Sequence, residues 1–255
     1  MFYLTGQFGE AIKWYKKLME MNEAPESKMY FSIGICNQMA LNYSQAIECY
    51  LKSIAADPRY TKSLVNLGQC YLQVGSYEKA LSAFQQLPLS SETLICIGNT
   101  YFRMGNFEEA VAHYLRATEI KEDPGAYNNL GCALKKLNLF QDAIYAFNDS
   151  LALQPSAETA NNLITLYIEL GKIEEAKNLV EISSKLLTPA DLKVYSKYLD
   201  ESKSIDRRLT FVIPSKSLLG SAIKRTADSR RSVLSSVTPT SKLTPRTNML
   251  RTPNP

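Results

Sequence analysis

The chain has 255 residues, of which 45% are hydrophobic and 21% charged, with a formal net charge of +4. This balance is enough to bury a core and excludes a wholly disordered chain. Five scattered cysteines without a CxxC pair, together with a single histidine, His113, argue against a disulfide framework or a zinc site and for a reducing compartment.

The first residues lack a basic segment followed by an apolar stretch and a cleavage site, so secretion is not expected. No apolar run is long enough to span a bilayer, and membrane insertion is not expected either. The reading is of an intracellular, cytoplasmic protein, with the nucleus or cilium as alternatives. "TGQFGEAIKWYKKLMEM", residues 5–21, reads as a turn entering a helix, with almost nothing in front of it. Its meaning depends on whether the same stretch recurs downstream.

"NLGQCYLQVGSYEKALSAF" and "CIGNTYFRMGNFEEAVAHY" place Gly, aromatic, Gly, aromatic, Ala and a large aromatic at the same offsets: Gly68, Tyr71, Gly75, Tyr77, Ala80, Phe84 and Gly98, Tyr101, Gly105, Phe107, Ala110, Tyr114. The alanine recurs at Ala11, Ala46, Ala80, Ala110, Ala143 and Ala176, in steps of 35, 34, 30, 33 and 33 residues. The short step is expected to trim the loop around "QLPLSSE". Ahead of each later alanine a helix is marked by Gly34, Gly68, Gly98 and Gly131, with Ile164 in the last copy; behind it lies a second helix, closed by Pro58 or Pro155 in two copies.

These offsets resemble the tetratricopeptide repeat, with "NLGQCY", "NLGCAL" and "AADPRY" as close matches over roughly residues 2–187. Small residues let two antiparallel helices approach, aromatics fill the gap between pairs, and no single hairpin buries its apolar face alone. The resemblance implies an all-α, right-handed superhelical solenoid: a partial first repeat at 2–22, then about five helix pairs over 27–187. The copies depart from the pattern where Leu41 and Asn138 replace the turn glycine and Asn37 the first aromatic.

The opening now aligns with the second half of a repeat. Its helix, with Ala11, Ile12, Tyr15 and Leu18, is expected to expose a side that a partner helix would cover: either Met1 is an internal start, the favoured reading, or that face binds something, self-association included. After the hairpins, "LTPADLKVYSKYLDESKS" has Thr188 as N-cap, Pro189 at the first helical position and Leu192, Tyr195 and Leu199 at helical spacing, which predicts a capping helix over 188–203. Residues 204–255 read as a basic, disordered tail rich in Ser, Thr and Pro. From Glu201 onward there are 11 Lys/Arg against 3 Asp/Glu, leaving the body mildly acidic.

Phosphate-cradling loops and HExxH are absent from the sequence, so neither an enzyme nor a cofactor is expected. On each first helix, positions six and two before the marker glycine and one and five after it fall on roughly the opposite side at 100° per residue. They predict a polar groove whose principal lining is Lys28, Lys62, Asn66, Gln69, Asn99, Arg103, Asn129, Lys136, Asn162 and Glu169. Asn66, Asn129 and Asn162 share one register position, and amides that both donate and accept suit an extended peptide backbone. In some tetratricopeptide domains a Lys/Asn set clamps a ligand's terminal carboxylate; Phe31, Val65 and Ile95 stand where that set would begin, which disfavours this mode here.

The tail holds Thr-Pro pairs at Thr238, Thr244 and Thr252 and "RRLT" ending at Thr210, which are candidate phosphorylation sites. The basic tail is further expected to touch an acidic surface, including the groove end bearing Glu158 and Glu169. The sequence therefore reads as a non-catalytic scaffold or adaptor that binds partner peptides or helices in its groove. The alternative is polyanion binding by the tail, to nucleic acid or acidic tubulin tails, with nucleic acid the disfavoured of these. Ciliary trafficking, cell-cycle ubiquitin ligases, RNA processing and organelle import all use this repeat, so fold alone does not choose a pathway.

Overall fold

The computed structural model describes residues 7–21 and 24–205, the last six by backbone alone. Residues 1–6 and 22–23 lie outside this description, as does 206–255, the tail that carries Thr210, Thr238, Thr244 and Thr252. Among the described residues there are twelve helices and no strand. They are α1 Phe8–Glu20, α2 Glu26–Met39, α3 Tyr43–Ala56, α4 Thr61–Gln73, α5 Tyr77–Phe84, α6 Ser91–Met104, α7 Phe107–Ile120, α8 Pro124–Lys136, α9 Phe140–Leu153, α10 Ala157–Glu169, α11 Ile173–Ile182 and α12 Pro189–Ile205. Each helix packs on its neighbour in sequence, and first helices of successive pairs also touch, α2 on α4 and α6 on α8. The result is the right-handed solenoid of antiparallel pairs, with a core divided into a cluster per stretch of repeats.

The five turns inside the pairs close identically. In each, the residue after the helix end donates its N–H three residues back and the next residue donates five back, as with Gly75 to Leu72, Ser76 to Tyr71, Leu41 to Gln38 and Asn42 to Asn37. This closure requires a left-handed residue, and Gly75, Gly105 and Gly171 supply it at φ 74, 85 and 69°. Asn138 and Leu41 adopt the same conformation at φ 60 and 61°. Asparagine tolerates it; for leucine the Cβ crowds the following carbonyl. Leu41 is also 69% exposed, so packing returns little. Leu41→Gly is therefore expected to raise stability by about 1 kcal/mol, read as a higher urea midpoint with an unchanged m-value.

Close approach at the centre of each pair comes from the marker glycines. A Cβ on Gly34, Gly68, Gly98 or Gly131 would lie 2.6, 2.4, 2.7 and 2.6 Å from the ring of Tyr50, Phe84, Tyr114 and Phe147 respectively, the aromatic sixteen residues further on. In the last pair Ile164 stands in the glycine's place and the residue sixteen further on is the smaller Val180, both in one apolar cluster, so a large-small exchange keeps the volume filled. Ala46, Ala80, Ala110, Ala143 and Ala176 are fully buried. Asn37, in the first aromatic's place, is buried and bonds back to Ile33 O at 3.0 Å.

The short step corrects one expectation. It shortens the second helix and not the loop: α5 has 8 residues where α3, α7 and α9 have 14, and the loop that follows it, residues 85–90, is longer than those after α3, α7 and α9. Gln86 and Leu87 bond three residues back, and Pro88 then ends the turn because it has no N–H to donate.

At the N-terminal end, Gln7 enters α1 with φ −84° and ψ 55°, close to the entry geometry of every other second helix. Ala11 is buried, Ile12, Tyr15 and Leu18 are half-buried, and Trp14 is exposed. At the other end Thr188 and Asp191 cap α12 reciprocally, the Asp191 N–H donating to Thr188 Oγ1 at 3.1 Å and the Thr188 N–H to Asp191 Oδ2 at 3.1 Å. Leu192, Tyr195 and Leu199 pack on the cluster of Ala160, Ile164 and Ala176. The helix continues through Ser204 and Ile205, two residues the sequence pattern assigns to the tail.

Candidate functional site

The first helices α2, α4, α6, α8 and α10 set their non-glycine sides along one face. Lys28, Lys62, Gln69, Arg103, Lys136 and Glu169 are exposed there, whereas Asn66, Asn99, Asn129 and Asn162 are half-buried. The asparagines are more than a solvated lining, because the structure engages them between repeats. Asn99 Oδ1 accepts from the Tyr114 hydroxyl at 2.6 Å and from Asn129 Nδ2 at 3.0 Å. Asn162 Nδ2 donates to Asn128 Oδ1 at 3.0 Å and lies 3.6 Å from Cys132 Sγ. The Tyr50 hydroxyl donates to Gln38 Oε1 at 2.7 Å, with the Asn66 amide beside it.

The physical cause is the aromatic that packs on each glycine. Where that residue is tyrosine, its ring crosses the first helix and delivers a hydroxyl to the groove floor, where a groove amide must satisfy it. Burial pushes both hydroxyls, Tyr50 and Tyr114, above the ordinary tyrosine range, so they remain protonated donors. Asn128, Asn161 and Gln38 belong to this row although the sequence pattern did not select them; Asn161 Oδ1 accepts from the Tyr195 hydroxyl of α12 at 2.9 Å. The signal was available, since Asn128 and Asn161 occupy the place three before the marker that Phe31, Val65 and Ile95 hold in earlier copies.

Charge on this face is divided by sign. Glu169 pairs with Lys135 at 2.8 Å, Glu92 with Lys121 at 3.6 Å, and Glu158 Oε1 accepts from Asn128 at 3.2 Å. Lys28, Lys62, Arg103 and Lys136 make no ion pair among the described residues. The expected acidic end of the groove is thus already engaged within the fold, because α8 brings Lys135 and Asn128 against α10. Between α4 and α6 the face opens into a cleft of about 200 Å³, lined by Thr61, Val65, Leu87, Pro88, Ser90, Glu92, Thr93 and Cys96.

Elsewhere the polar chemistry is structural. The buried Ser53 Oγ bonds Ser27 O at 2.7 Å and Ser63 Oγ at 2.7 Å, joining α3 to the starts of α2 and α4. His113 lies against Tyr101 with ring centroids 5.2 Å apart, its Nδ1 2.9 Å from Glu109 O; burial holds its pKa below the usual histidine value. Cys36 and Cys70 are buried, and burial raises the Cys70 thiol to about 11. No cluster among the described residues could hold a metal ion, and none of their helices is long and apolar enough to cross a membrane.

Known families match the chain in the same register. Models described as TPR repeat and tetratricopeptide repeat match residues 98–138 and 124–156. The model for anaphase-promoting complex, cyclosome, subunit 3 matches 4–87 and 39–117, and that for PPR repeat matches 158–182. The chain is a tetratricopeptide-repeat protein. A tetratricopeptide repeat protein from Parabacteroides merdae superposes with a TM-score of 0.63 at 20% identity, over 80% of this chain and 83% of that one. The hetero-tetramer Cut9-Hcn1 of the APC/C gives 0.60 at 18%, over 91% of this chain and 47% of that one. YrrB, described as a TPR protein with an unusual peptide-binding site, gives 0.51 at 17%, over 72% and 97%. At these identities the likeness is one of fold. No curated protein matches by sequence.

Proposed function

We propose that this tetratricopeptide-repeat protein is a non-catalytic scaffold or adaptor that holds an extended segment of a partner protein along the face of its first helices. The observation that carries the reading is the row of groove amides held by inter-repeat hydrogen bonds. Each amide has two donor hydrogens and two acceptor lone pairs, and the internal bonds of Asn99 and Asn129 use only part of that capacity. The remainder can pair with the alternating N–H and C=O groups of a peptide, and amides already fixed in place lose little entropy on binding. A peptide-binding site in YrrB and a complex in Cut9-Hcn1 agree with this use of the fold.

Blocking the groove tests the reading. Gln69 and Thr165 are exposed on the face, so Gln69→Trp with Thr165→Trp obstructs it while leaving the core intact. Partners recovered with the full chain and quantified by mass spectrometry are expected to fall by about tenfold or more with the double variant, at an unchanged melting temperature. Equal recovery would place binding elsewhere on the chain.

A further inference from the structure

We infer that the cleft between α4 and α6 is the anchor point of the groove and selects an acidic partner peptide bearing one bulky aliphatic side chain. The inference rests on the groove reading and specifies its ligand. The cleft exists because α5 stops at Phe84, a turn and a half short of its counterparts, so that Leu87 and Pro88 rather than a further helical turn meet Val65 and Cys96. At about 200 Å³ it exceeds the roughly 150 Å³ apolar cavity that accepts benzene, so a single side chain fits.

Its chemistry narrows the occupant. The hydroxyls beside Pro88 are satisfied internally: Thr93 Oγ1 donates to Pro88 O at 2.9 Å, and Ser90 Oγ accepts from the Thr93 N–H at 3.1 Å; the Thr61 hydroxyl, at the opposite rim, is solvent-exposed. Beside Val65, Leu87, Pro88 and Cys96 a polar side chain would lose water for little return, whereas an aliphatic one gains by burial. Glu92 at the rim is offset by Lys121.

The flanks add the charge preference. Lys62 is the neighbour of the cleft residue Thr61, and Arg103 lies two turns, about 10 Å, along α6 from Cys96. These two, with Lys28 and Lys136 farther along, are groove cations without an ion pair among the described residues, while the groove carboxylates Glu92, Glu158 and Glu169 are each engaged. These four unpaired cations outweigh Glu158, whose charge a neutral amide does not cancel, so the face is net positive and an acidic segment complements it.

Selection of a phage-displayed library of short random peptides on the full chain tests this. Enriched peptides are expected to carry more Asp and Glu than Lys and Arg, with one Leu, Ile or Met whose change to Ala lowers affinity about tenfold. Val65→Phe, which fills the cleft, is expected to lower affinity similarly and to erase the difference between a peptide and its Ala version; Lys62→Glu also weakens binding, and added salt weakens the wild-type complex. Enriched peptides that are basic, that lack an aliphatic residue, or that bind Val65→Phe as well as wild type but lose the Gln69→Trp/Thr165→Trp protein overturn the cleft and leave the groove. Peptides indifferent to all of these variants overturn the groove reading itself. Melting curves of each variant confirm that the fold is retained.

Discussion

Gly68→Ala is expected to destabilise the array by about 2 kcal/mol, although alanine is the better helix former by about 1 kcal/mol. The added Cβ would lie 2.4 Å from Phe84 Cε1 and 2.5 Å from Cζ, and Phe84 is fully buried, so the ring cannot swing into solvent. Relief requires α4 and α5 to separate, which opens contacts along the whole pair. The companion change Phe84→Leu should restore part of the loss, and a double-mutant cycle reads the coupling directly. The chain holds its own precedent in Ile164 opposite Val180, where the bulk has moved from the second helix to the first. A urea midpoint that rises for Gly68→Ala, as helix propensity alone requires, would overturn the packing described for all four glycines.

Phe147→Ala is expected to cost more, about 3 to 5 kcal/mol. Phe147 is fully buried in the largest cluster, among Tyr114, Leu130, Ala133, Ala143 and Leu163, and its ring covers the bare backbone of Gly131. Because each repeat contacts only its neighbours, a cavity here weakens the link between α2–α7 and α10–α12 more than it weakens either side. Hydrogen exchange should therefore show two separately opening segments, where the wild-type chain loses its central protection together. Tyr145 on the same helix is 53% exposed and serves as the control, with Tyr145→Ala expected within about 0.5 kcal/mol of wild type. Similar losses at the two positions would mean that α9 does not bury the face assigned to it.

The sequence by itself determined the repeat, its phase and the face each helix buries. A helix rotates 100° per residue, so Gly34, Gly68, Gly98 and Gly131, the recurrent alanines and the aromatics between them specify the packed stripe from local spacing alone. Turn chemistry was nearly as legible, and Leu41 and Asn138 were visible as departures whose outcome is a positive φ in both.

The candidate site was legible as a set of side-chain types and not as a set of contacts. Register placed Asn66, Asn129 and Asn162 on one face, yet their half-burial and the bonds from Asn129 to Asn99 and from Asn162 to Asn128 join residues 30 and 34 apart in sequence. Those bonds depend on how far each helix pair is rotated against the next, which no single helix encodes. The same holds for Lys135 reaching Glu169, for Val180 answering Ile164, and for the cleft left where α5 ends early. Local periodicity decided which surface is buried; only the stacking of repeats decided which polar groups on the remaining surface are already engaged and which are left for a partner, because hydrogen bonds and ion pairs form only over a few ångströms set by tertiary packing.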